Sequence, residues 1–130
     1  MKRKYFLALF LAVLFMAMAV WEIYVDYYAS REAIRIITTF QLDKVAHLVG
    51  GAFIVGLVLL VYPEAHALGV FLITIVGALS WEIFELVFDS KVAYFFAKER
   101  ELWLRDFSGD LAAGILGAVL FFVLWRRIFS

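Results

Sequence analysis

Four stretches of the sequence, residues 5–25, 43–62, 67–88 and 108–129, each match the roughly 20 residues that a helix needs to cross a bilayer, with their charges gathered near the ends. A soluble domain of 130 residues cannot hide so much apolar surface: 66% of the residues are hydrophobic and 18% aromatic, where about half apolar is usual. Backbone in hydrocarbon must satisfy its own hydrogen bonds, and single runs of this length do so as helices. The expected fold is therefore all-α: one domain over residues 1–130, an integral membrane bundle of about four transmembrane helices joined by interfacial segments.

The flanks agree with this reading. The first run follows Met1-Lys2-Arg3-Lys4 and closes with Trp21, Tyr24, Tyr27 and Tyr28, aromatics suited to a headgroup boundary. Ala17-Met18-Ala19 has the form of a signal-peptide cleavage site, but the apolar run continues past it to full span length, which favours a retained helix. Residues 29–41 mix Arg31, Glu32 and Arg35 with Ile34, Ile36 and Ile37, the pattern of a short interfacial helix. Pro63 stops the second run, and Pro63-Glu64-Ala65-His66 reads as a tight polar turn with His66 at the surface. Residues 89–107 carry Lys91, Lys98, Glu99, Arg100, Glu101 and Arg105 among Tyr94, Phe95, Phe96 and Trp103, which predicts a partly interfacial loop. Trp125, Arg126 and Arg127 anchor the end of the last run.

The basic residues at both ends place the termini in the cytoplasm of a multi-pass cell-membrane protein, although Lys91, Lys98 and Arg100 pull the other way. Basic and acidic residues cancel at 12 each, so no overall field attracts nucleic acid, and membrane lipid is the expected partner. The chain has no cysteine, which excludes disulfides, thiolate metal sites and cysteine nucleophiles. It also has no glycine-rich phosphate loop, EF-hand pattern or hydrolytic Ser-His-acid motif.

Four antiparallel spans bring the end of the first, the start of the second, the end of the third and the start of the fourth to one membrane face. There stand Glu22 and Asp26; Asp43, Lys44 and His47; Glu82, Glu85 and Asp89; and Arg105, Asp106 and Asp110. Asp43 with His47, Asp106 with Asp110, Glu82 with Glu85, and Glu85 with Asp89 are three or four apart, so each group projects from one side of its helix. Gly50 and Gly51 follow His47, and Gly114 and Gly117 follow Asp110, small residues that let helices approach closely. A charge near the bilayer centre costs about 3 kcal/mol on insertion scales, so these side chains are expected inside the bundle. The acids outnumber the bases Lys44, Lys91 and Arg105. Protonated carboxylates, a protonated His47, a metal cation or a cationic part of a ligand must make up the difference.

The candidate ligand-binding or proton-handling residues are Asp43, Lys44, His47, Glu82, Glu85, Arg105, Asp106 and Asp110, with a divalent metal conceivable at His47, Glu82, Glu85, Asp106 and Asp110. Plainer roles compete: Asp43 as a helix cap, Asp89 as a solvated helix end, Glu22 and Asp26 as interfacial residues, and Arg105 with Asp106 as a capping ion pair.

Three segments, Asp43-Lys44-Val45-Ala46-His47, Trp81-Glu82-Ile83-Phe84-Glu85, and Arg105-Asp106-Phe107-Ser108-Gly109-Asp110 with Gly114 and Gly117, together resemble the VanZ-like family of small multispanning membrane proteins over residues 43–117. The resemblance implies functional roles for Lys44, His47, Glu82, Asp106 and Asp110, and a link to the cell envelope, where some members are associated with low-level glycopeptide resistance. Glu85 departs from the family's Glu-plus-Gln pairing. The leading expectation is a membrane-embedded polar site that binds a lipid headgroup, a cell-envelope lipid intermediate or a cation. The alternatives are a metal-dependent enzyme of lipid phosphate chemistry, a proton- or ion-coupled transporter, and a structural or accessory membrane subunit.

Overall fold

A computed structural model describes residues 2–30, 32–33, 36 and 41–129, without the side chains of residues 2, 3, 22, 26, 27, 90, 91, 95 and 129. Expectations that fall on Arg31, Ile34, Arg35 and Ile37, and on the side chains of Glu22, Asp26 and Lys91, lie outside the described residues.

The described chain is built from helices: α1 (Lys2–Ile23), which ends in a π-helical turn over Tyr24–Tyr28, α2 (Asp43–Val61), α3 (Ala67–Phe88), α4 (Ser90–Lys98) and α5 (Arg100–Phe129). Four of them, α1, α2, α3 and α5, are long and apolar enough to cross a membrane. The protein is an all-α, multi-pass membrane bundle. Many apolar side chains on these helices face outward, as a lipid-facing surface requires; Leu68, Val76, Val87 and Leu124 are each more than half exposed. The hydroxyls within the spans are satisfied by their own helices: Thr74 Oγ1 donates to the Val70 carbonyl at 2.9 Å and Ser80 Oγ to that of Val76 at 2.8 Å.

The connection after α3 differs from the expected loop. Asp89 ends α3, and its Oδ1 accepts from the Val92 amide at 3.3 Å, capping the short helix α4. A break at Glu99 then starts α5 at Arg100, two turns before residue 108. The charges of residues 98–105 conceal this helix from any reading by apolar length, yet its first turns are pinned by packing. Phe96 meets Trp103 edge-on at 4.9 Å, and the Arg100 guanidinium lies 5.2 Å over the Phe96 ring. With 30 residues, α5 is about 45 Å long against a hydrocarbon core of about 30 Å, so its charged first turns extend beyond the apolar layer.

The interior has two halves. Toward the termini lies the apolar core: Leu7 and Leu11 of α1, Val55 and Leu59 of α2, Val70 of α3 and Ala118 of α5, bordered by Phe121, Phe122 and Trp125. The Pro63 turn closes this end, where Arg126 Nη2 donates to the Ala65 carbonyl at 2.7 Å and its guanidinium lies over Phe122. Between the core and the polar half, α2 and α5 pack backbone against backbone. A methyl group on Gly51 would lie 1.9 Å from the Gly114 carbonyl oxygen, and one on Gly117 would lie 1.8 Å from that of Leu48. Only glycine permits this approach. Gly50 takes no part in it and looks instead toward Met18 of α1.

Candidate functional site

Above the glycine contact, α2, α3 and α5 bring their polar residues together. Gln41, in the left-handed region with φ 50°, turns the chain into α2, so that Asp43, Lys44 and His47 occupy its first turns. The close approach of α5 sets Asp106 and Asp110 opposite them, while Glu82 and Glu85 come from the last turns of α3.

Two adjoining groups result. In the first, Lys44 Nζ donates to Asp43 Oδ2 at 3.0 Å, to Asp110 Oδ1 at 2.7 Å and to Asp106 Oδ1. All three donor sites of the ammonium are therefore used. Burial is graded across the trio: Asp106 is 64% exposed at the rim and Asp43 43%, while Asp110, a turn deeper on α5, is 7% exposed. In the second group, His47, Glu82 and Glu85 each offer a ligand atom within 4.8 Å of the others. His47 joins the two groups, its Nε2 lying 3.4 Å from Asp110 Oδ1 and its Nδ1 3.8 Å from Glu82 Oε1.

Glu82 is the informative member. Its side chain is only 7% exposed, and the one ionic contact it makes among the described residues, with His47, is beyond hydrogen-bond reach. A buried carboxylate in this state is costly unless something pairs with it.

Of the residues singled out from the sequence, the structure gathers Asp43, Lys44, His47, Glu82, Glu85, Asp106 and Asp110. Arg105 is exposed and belongs to neither group, and Asp89 serves as the cap of α4. Gly109 was not foreseen in a supporting role: a methyl group there would lie 3.0 Å from Lys44 Cε, so the glycine makes room for the lysine stem. Its place one residue before Asp110 was the available signal.

The arrangement can hold a cation, or protons, among carboxylates on the second group. It is poorly suited to bind a bare anion, because the Lys44 ammonium is committed. Comparison with protein-family models, with curated proteins and with solved structures returned no match for this chain.

Proposed function

We propose that this membrane protein binds a cationic ligand, either a metal ion or the amine of a lipid headgroup, in an anionic site within the bundle near one membrane face. The observation that carries the reading is the placement of Glu82. The ammonium of Lys44 donates to Asp43, Asp106 and Asp110 and not to Glu82. Glu82 is left buried without a hydrogen bond among the described residues. An added positive charge removes the cost of that burial, and the graded exposure of Asp106, Asp43 and Asp110 offers an entry path from the headgroup region.

Chemistry on lipid phosphate, with Lys44 meeting the phosphate, has less behind it, since that ammonium already donates three hydrogen bonds. Membership of the VanZ-like family, and the cell-envelope setting it implies, belongs to this proposal through the three motifs that contribute the site residues. So does the orientation: the basic cluster Lys2-Arg3-Lys4 favours cytoplasmic termini, which turns the site toward the outside.

The test is ligand-dependent stabilisation of the purified protein in detergent. Ligands that bind only the folded state stabilise it by mass action, by about 2.7 kcal/mol at 100 times the Kd. Divalent salts or phosphatidylethanolamine are expected to raise the unfolding midpoint, and phosphatidylglycerol is not. Equal stabilisation by the anionic lipid, or none by any cationic ligand, would refute the reading.

A further inference from the structure

Resting on the proposal of a cation site, we infer that its ligand is a divalent first-row transition-metal ion, held by His47 Nδ1, Glu82 and Glu85, with Asp110 as the residue that positions the histidine. The geometry distinguishes the two trios by their donor sets and by the place of Lys44. Among Asp43, Asp106 and Asp110 sits the ammonium of Lys44, a tethered cation at hydrogen-bond distance from each carboxylate. That trio is satisfied. Among His47, Glu82 and Glu85 the ligand atoms lie within 4.8 Å of one another, a spread that a single ion can span with bonds of about 2.0–2.3 Å after small side-chain adjustments. Glu82, nine-tenths buried and lacking a hydrogen bond among the described residues, points into this space.

The imidazole gives the site its direction. Nδ1 faces Glu82, while Nε2 faces Asp110 at 3.4 Å. Histidines that bind metal commonly donate their other ring N–H to a carboxylate, which fixes the tautomer and raises the basicity of the ligating nitrogen. Asp110 lies within reach of that nitrogen, and a small rotation of the ring would bring the pair to hydrogen-bond geometry. Asp110 is itself held by Lys44 at 2.7 Å, so the satisfied trio acts as the outer support of the other.

The donor set then selects the ion. One imidazole nitrogen with two carboxylate oxygens suits zinc, iron(II) or manganese(II), whereas calcium and magnesium prefer oxygen-only shells. Three protein ligands also leave at least one coordination position open, as in metal sites that bind water or a further ligand.

The experiment uses the full chain in detergent micelles, stripped with chelator and titrated calorimetrically with zinc, manganese or magnesium chloride. One zinc or manganese ion per chain is expected, with magnesium at least tenfold weaker. Glu82→Gln, which keeps the shape of the side chain, should abolish binding. Asp110→Asn should leave one site with affinity lowered about 10- to 100-fold. Asp43→Asn should change affinity less than threefold. In the unmodified protein, bound manganese should show nitrogen coupling in electron spin echo spectra, a signature of imidazole ligation that needs no variant.

Absence of that coupling would overturn the assignment, as would metal binding that survives Glu82→Gln and is lost in Asp43→Asn. If no metal binds but phosphatidylethanolamine still stabilises the protein through Glu82, the metal inference fails and the cation reading stands. If neither binds, both fail.

Discussion

Replacing Gly51 with alanine tests whether the spacing of α2 and α5 is what builds the polar site. The added methyl would lie 1.9 Å from the Gly114 carbonyl oxygen, while an ordinary C···O contact is about 3.3 Å or more. The helices must therefore part by about 1.4 Å. The methyl is fixed rigidly to the α2 backbone and its neighbour is a backbone oxygen, so no side chain can swing aside to absorb the change. Overpacking of this kind costs about 1–3 kcal/mol. The site is affected as well: from Gly51 to Lys44 is about 10 Å along α2 and from Gly114 to Asp110 about 6 Å along α5, so a parting of the helices carries directly to the ion pair. A rigid displacement would stretch the 2.7 Å contact between Lys44 and Asp110 toward 4 Å. We expect a total loss of about 3 kcal/mol, measured by SDS titration in mixed micelles with circular dichroism as the readout. The controls are two further glycine-to-alanine changes. Gly50→Ala meets only Met18 Cε, at 3.7 Å, and Gly69→Ala meets nothing within 4 Å. They should be neutral or stabilising by up to about 1 kcal/mol, the helix-propensity difference between the two residues. If Gly51→Ala is as stable as Gly50→Ala, the close contact does not determine the architecture and the reasoning fails.

Lys44→Met should destabilise the bundle by about 3 kcal/mol, the lower end for removing one partner of a buried pair, because two of its three carboxylates are partly exposed; adding Asp110→Asn should recover most of the loss in the same titration, and unchanged stability of the single variant would refute the pairing. Arg126→Ala removes both the hydrogen bond to the Ala65 carbonyl and the contact with Phe122, for an expected loss of about 2 kcal/mol. The exposed neighbour Arg127→Ala is the control, expected within about 0.5 kcal/mol of the unmodified protein.

The four spans are readable from the sequence because length and apolarity alone decide them in a bilayer. The start of α5 is not, since Arg100, Glu101 and Arg105 erase the apolar signal that defines a span, although the backbone is helical from Arg100 and Trp103 packs on Phe96. The meeting of three helices' polar residues at one end follows from the helix count and the spacing of Asp43 with His47 and Asp106 with Asp110. Their division into two trios does not follow from it. Whether Lys44 turns to α3 or to α5 depends on distances between helices, and those depend on Gly51 and Gly117, whose partners are backbone atoms that leave no mark in side-chain pattern. Arg105 illustrates the same limit: it adjoins Asp106 in sequence, yet on the helix it joins neither trio.

The lysine at the centre of the first trio also constrains how the protein is made. Lys44 and Asp106 are separated by 62 residues, and at about 5–20 residues per second a ribosome needs about 3–12 s to travel that distance. Throughout that interval α2 exists without α5, and of the three carboxylates only Asp43 has been synthesised. The adjacent aspartate, one of three partners in the finished bundle, is the one carboxylate of the trio available to the lysine while the rest of the chain is still arriving.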